Sequence, residues 1–281
     1  MQHGSIGIFD SGIGGLTVAR AIMEALPNEP ITYFGDTARA PYGDRPREQI
    51  IRFAREIVSF LSRRGAAVAV AACNTSSALA VPLITGEFDI PIIGMIDCGA
   101  LAAAEVSGSH RIGVIATANT VKSGAYRAAI ERLLVDAVVI EQACPALVPM
   151  VEQGEVSGPR VVEAISGYLA PLLDAGVDTI VYGCTHYPFL DSQIRAVAGP
   201  SIQLVDPAVR VAKAAKAALL DGGGLSHGSP SPAHYVTSGD PERFADLVHA
   251  LMGWEIDLPE HVDLASCGSS YREGLRRQAT I

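Results

Sequence analysis

The chain has 281 residues, more than a typical single domain holds, and 49% are hydrophobic against 18% charged, enough apolar material for two buried cores. A net charge of −9 without a dense basic cluster excludes a nucleic-acid-binding surface, and the pairs Arg63-Arg64 and Arg276-Arg277 read as solvated helix ends. An acidic protein has no long-range attraction for an anionic substrate, so any anion site must be assembled locally from backbone N–H groups and hydroxyls.

In chain order, Ile6–Asp10 reads as a strand closed by S-G-I-G-G, followed by a helix from about Leu16 to Leu26. Ile31–Phe34 is a second strand, leading into the long polar loop G-D-T-A-R-A-P-Y-G-D-R-P. Glu48–Arg64 has helical spacing, and Ala67–Ala72 is an apolar strand that delivers Cys73. Ile90–Ile96 is a further short apolar run, after Pro82 and before Asp97.

The pattern then restarts. R-I-G-V-I-A-T-A-N-T at Arg111–Thr120 parallels S-I-G-I-F-D-S-G-I-G at Ser5–Gly14. T-I-V-Y-G-C-T-H-Y-P-F around Cys184 parallels V-A-V-A-A-C-N-T-S-S-A around Cys73. The spacing from Asp10 to Cys73 nearly equals that from Thr117 to Cys184, which favours two like halves over a chance match. Asp221–Pro232 is a Gly/Ser/Pro loop, H-Y-V-T-S-G-D a strand and turn, and Pro241–Met252 a helix; this tail is too short for a domain and completes one half. The expected fold class is α/β, with two similar doubly wound parallel-sheet domains and a cleft between them.

Cys73, Cys98, Cys144, Cys184 and Cys267 form no metal framework, and an odd number fits a reducing compartment. Met1–Asp10 lacks the basic and apolar segments of a secretory leader, and runs such as Ala66–Cys73 are too short to span a bilayer. The expectation is a cytoplasmic protein with no membrane contact.

Ligands of open α/β sheets bind outside the carboxyl ends of the strands. Those ends here are Asp10-Ser11, Cys73-Asn74-Thr75, Thr117 and Cys184-Thr185-His186, each followed by an expected helix start. Taken alone, a Cys after an apolar strand is most often a small buried hydrophobe, and Cys98, Cys144 and Cys267 are read that way. D-S-G-I-G-G matches a dinucleotide fingerprint poorly, and no acid able to hold a ribose ends the next strand. Cys184 with His186 supplies two metal ligands without a third nearby, so no metal is expected.

G-I-F-D-S-G-I-G-G-L-T-V, Y-F-G-D-T-A-R-A-P-Y-G, A-C-N-T-S-S-A and G-C-T-H-Y-P-F-L follow one another from residue 6 to about 206. In these segments the chain resembles the aspartate/glutamate racemase family, and G-C-T-H-Y-P paired with D-S-G-I-G-G points within it to glutamate. The resemblance implies cofactor-independent interconversion of L- and D-glutamate for peptidoglycan biosynthesis. Cys73 would take the α-proton from D-glutamate and Cys184 from L-glutamate, assisted by Asp10, His186 and Glu152. It assigns Asp10, Ser11, Pro41, Tyr42, Gly43, Asn74, Thr75, Thr117, Thr120, Thr185 and His186 to substrate binding. It further implies a homodimer, and a first domain of residues 1–97 plus 207–281 beside a second of 98–206.

Lysine usage agrees with the absence of a cofactor. The chain has only Lys122, Lys213 and Lys216, and nothing around Lys122 resembles the Schiff-base site of a pyridoxal-phosphate enzyme. Racemisation of another acidic amino acid such as aspartate, and a non-catalytic amino-acid-binding role, stay open on the sequence.

Overall fold

The computed structural model describes residues 4–226, 229–230 and 232–264. The readings of Cys267 and Arg276-Arg277, and part of the Asp221–Pro232 loop, lie outside those residues.

Ten strands are present among the described residues, and every pairing between them is parallel. They are β1 Ser5–Asp10, β2 Ile31–Gly35, β3 Ala66–Ala71, β4 Ile92–Gly94, β5 Arg111–Ala116, β6 Val138–Ala143, β7 Thr179–Gly183, β8 Gln203–Val205, β9 His234–Thr237 and β10 Glu260–His261. One sheet has the order β10-β9-β2-β1-β3-β4 and the other β6-β5-β7-β8. Setting β9 and β10 aside, the two share one strand order: the first strand is flanked by the second and the third, with the fourth outside the third. The likeness between Ser5–Gly14 and Arg111–Thr120 is therefore a likeness between the two central strands β1 and β5.

Continuous apolar runs such as I-G-I-F and A-V-A-V form these strands because helices cover both sheet faces, leaving no wet side that would demand alternation. On the first sheet, the helix Leu16–Ala25 and the helix Ala208–Gly222 bury Leu16, Ile22, Val211 and Leu219 against Ile6, Ile8 and Val70. The helix Arg47–Arg63 covers the other face through Phe53, Ile57 and Leu61, whose full burial contributes roughly 1.5–3 kcal/mol per large side chain. The second sheet is enclosed by the helices Pro159–Asp174 and Ala125–Leu133.

The Ile90–Ile96 run divides into two elements. The strand stops at Gly94, and Met95 opens a helix running to Val106 through the expected domain junction at 97/98. This helix has an apolar surface toward each half. Met95 and Cys98 lie in the first core, and Ile96, Ala100 and Ala103 in the second.

Candidate active site

The carboxyl ends of β1, β3, β5 and β7 meet at the seam between the halves. Cys73 follows β3 at the start of the helix Asn74–Leu79, and Cys184 follows β7 before the short 3-10 turn Tyr187–Leu190. Each thiol is 6% exposed. Both line one cavity of about 40 Å³, together with Ser11, Pro41, Tyr42, Gly43, Asn74, Thr75, Thr117, Val148, Glu152, Gly183, Thr185 and His186. Asp10 and Thr120 stand behind that lining.

The two thiols have different surroundings. Burial, the nearby Asp10 carboxyl and Cys184 push Cys73 up to about 11, opposed by the backbone and side chain of Ser76. Beside Cys184 stands His186, with Nδ1 3.7 Å from the sulfur and Nε2 3.1 Å from Glu152 Oε1. Burial disfavours a charged imidazole, but the contacts with Cys184 and Glu152 and the field of Asp10 outweigh it and raise His186 to about 10. Hydrogen bonding to His186 in turn lowers Glu152 against the opposing effect of burial. The Cys184 side therefore carries an imidazolium held by a carboxylate.

Asp10 is anchored by Gly12 N–H at 3.0 Å and by the Thr185 hydroxyl at 3.3 Å. Burial raises it, while the charge of His186 and those hydrogen bonds pull the other way. Gly14 allows the first half to approach this closely. A Cβ there would lie 2.6 Å from both His186 Nδ1 and Thr185 Oγ1, nearer than real Cβ contacts come.

Asn74 is 2% exposed; its Oδ1 accepts from Tyr126 OH at 2.6 Å, while its Nδ2 has no partner. An unpaired buried donor on a cavity wall costs about 1–3 kcal/mol until something accepts from it. Thr75, Thr117 and Thr120 form a triangle of hydroxyls with sides of 3.0, 3.0 and 3.3 Å, joining the helix after β3 to the end of β5. The placement of Thr120 explains why it misses the lining: it positions Thr75 and Thr117 from the rear.

Several contributors carry no local signal in the sequence. Asn119 donates from Nδ2 to the carbonyls of Tyr42 and Arg45 at 3.1 and 2.8 Å, and its N–H bonds to Gly43 O at 3.0 Å. It clamps the Pro41–Gly43 segment, whose Ala40-Pro41 bond is cis, onto the second half. Asp36 is fully buried and takes hydrogen bonds from Tyr42 OH, Arg39 and, at 2.7 Å, Ser238 Oγ, fixing the other side of that segment. Val148 and Gly183 add apolar wall, which polar-residue reasoning does not find.

Among the described residues no group of three or more His, Cys, Asp or Glu is arranged to hold a metal ion. Lys122, Lys213 and Lys216 are exposed and none lines the cavity. No described helix is long and apolar enough to cross a membrane. Two thiols from opposite halves, on the wall of one pocket with hydroxyl and amide groups, can exchange protons with a carbon held between them.

The Asp/Glu/Hydantoin racemase family model matches residues 6–215. The glutamate racemase of Synechocystis sp. is 46% identical over 264 residues, covering 92% of this chain and 94% of that one. The glutamate racemase of Gloeothece citriformis is 47% identical over 253 residues, 90% of each chain. Among solved structures, glutamate racemase isoform RacE1 from Bacillus anthracis superposes with a TM-score of 0.90 at 35% identity, covering 94% of this chain and 99% of that one. Glutamate racemase from Francisella tularensis in complex with D-glutamate gives 0.87 at 33% identity, covering 95% and 100%.

Proposed function

The chain belongs to the Asp/Glu/hydantoin racemase family and is an amino-acid racemase, and we propose that it interconverts L- and D-glutamate through Cys73 and Cys184 without a cofactor. The observation that carries this reading is the placement of one thiol from each half on the wall of one cavity. The D-glutamate bound by the Francisella tularensis relative supports glutamate as the substrate here.

One thiolate removes the α-proton and the opposite thiol returns one to the other face; the two exchange roles with direction. On the L-glutamate face the base is Cys184, beside the His186 imidazolium that Glu152 holds. On the D-glutamate face it is Cys73. The carbanion-like transition state spreads charge into the α-carboxylate, where donors set in advance act most strongly. Asn74 Nδ2 is the clearest such donor, with the hydroxyls of Thr75 and Thr117 on the same cavity wall. Asp10 and Ser11 face the ammonium end. Thr120 acts through Thr75 and Thr117.

The cavity measures only about 40 Å³, and we infer that the halves separate to admit glutamate. We divide them as residues 1–97 with 207–281 against 98–206, the helix Met95–Val106 crossing the junction. The product D-glutamate would serve peptidoglycan biosynthesis in the cytoplasm, with the enzyme a homodimer whose mass sedimentation would reveal.

Circular dichroism of pure L-glutamate incubated with the protein tests the reaction. The signal decays to zero without added cofactor, and aspartate in parallel stays optically active. A stable glutamate signal overturns the proposal, and racemisation of aspartate alone replaces the substrate.

A further inference from the structure

The four polar residues after Cys73 meet four different fates. Asn74, a cavity-wall residue, is held by Tyr126 and keeps an unpaired Nδ2. Thr75 joins the hydroxyl triangle. Ser77 donates to Ala71 O at 2.8 Å and accepts from Met95 N at 3.0 Å, tying the helix to β3 and to the helix Met95–Val106. Ser76 is fully buried, yet its hydroxyl has no partner.

An unpaired buried hydroxyl is a cost that alanine would not incur. Its position suggests what relieves that cost. Cys73 is the N-cap of the helix Asn74–Leu79, with extended backbone at φ −63 and ψ 117, and Ser76 is the third helical residue. The third helical residue and the N-cap share the first turn, and both the backbone and the side chain of Ser76 act on the Cys73 sulfur.

The titratable groups that act on Cys73 from other elements offer it no alternative donor. Asp10 ends β1 and is an acceptor when charged, and Cys184 is the opposing thiol. Tyr33 of β2 and Tyr42 of the clamped segment also feel the thiolate, but their hydroxyls are engaged by Gly12 O at 2.9 Å and by Asp36. Cys184 has an imidazolium beside it; Cys73 has only the N–H and hydroxyl of Ser76 to oppose burial.

We propose that Ser76 stabilises the thiolate of the D-glutamate-side base: its idle hydroxyl donates to Cys73 Sγ when Cys73 gives up its proton. The inference rests on the two-thiol reading above. A donor unpaired in the thiol state and paired in the thiolate state acts on the difference between them, which is the quantity a base needs. No atom is transferred by Ser76.

Site-resolved alkylation with iodoacetamide, read by mass spectrometry from about pH 7 to 11, tests this without relying on turnover, because only the thiolate reacts. In Ser76→Ala Cys73 reacts roughly tenfold more slowly across this range, the equivalent of about one unit in its midpoint, while the Cys184 profile stays in place. Ser76→Thr keeps the hydroxyl and the wild-type midpoint. An unmoved Cys73 profile in Ser76→Ala, an equal shift of both cysteines, or a Thr variant displaced as far as Ala overturns the inference. If alkylating Cys73 leaves racemisation intact, the two-thiol reading itself fails. If alkylation blocks turnover and the profile does not move, only the role of Ser76 is lost.

Discussion

Replacing Glu152 by Gln removes the carboxylate that holds His186 protonated. Nε2 of His186 lies 3.1 Å from Glu152 Oε1, with the imidazole enclosed and the carboxylate 32% open to solvent. Burial acts against the charged ring, and the contacts with Cys184, Glu152 and Asp10 reverse it to reach about 10. A hydrogen bond to a charged group contributes about 1.5–3 kcal/mol, and one pKa unit corresponds to about 1.36 kcal/mol. The exposure of Glu152 places its share at the low end, so Glu152→Gln brings the His186 midpoint down by about one unit. Folding favours the protonated ring, so the stability it contributes is complete below about 6.5 and is lost as pH climbs toward about 10. The variant loses that stability about a unit earlier. NMR titration of the His186 ring measures the midpoint directly, and the basic limb of the racemisation profile moves with it. A wild-type His186 that titrates near 6.5, or equal midpoints in wild type and variant, refutes the reasoning.

Three further perturbations address the frame of the site. Gly14→Ala forces a Cβ to within 2.6 Å of His186 Nδ1 and Thr185 Oγ1, so kcat falls at least about a hundredfold in steady-state assays while circular dichroism shows a folded protein. Asn119→Ala releases the Pro41–Gly43 segment from the second half; KM for glutamate rises by about tenfold, the equivalent of about 1.4 kcal/mol, with a smaller change in kcat. Asp178 lies far from the thiols and accepts from Ser107 Oγ, Ser109 N and Thr179 Oγ1 at 2.7, 2.6 and 2.8 Å, which against burial hold it down at about 2. Its stabilisation is present above about 3.8 and fades as pH falls toward about 2. At neutral pH Asp178→Asn lowers Tm by about 2–4 °C in calorimetry and leaves kcat unchanged.

What the sequence reveals of this site follows its local physics. β1, β3, β5 and β7 are short buried runs ended by polar residues, and such runs announce both a parallel strand and the end at which ligands of such sheets bind. The Asp10–Cys73 and Thr117–Cys184 anchors are legible because the repeat preserves strand order, not merely residue type. The Ile90–Ile96 run misleads as a single element because Met95 and Ile96 are apolar for two different cores. Asn119 and Tyr126 leave no trace in pattern because each acts on a partner remote in sequence, Asn119 on Tyr42 and Tyr126 on Asn74, and Asp36 adds to its local partners the distant Ser238. Ser76 is hidden for another reason. Beside Ser77 it reads as one more helix-start hydroxyl, and only the missing partner in the folded protein separates the two.

The central claim is that two thiols act on opposite faces of one α-carbon. Starting from L-glutamate in deuterated water, at low conversion, mass spectrometry of the separated enantiomers tests it directly. The expected product is D-glutamate carrying solvent deuterium at Cα, while the remaining L-glutamate keeps its proton. D-glutamate that retains the substrate proton, or deuterium entering both enantiomers at equal rates, contradicts it.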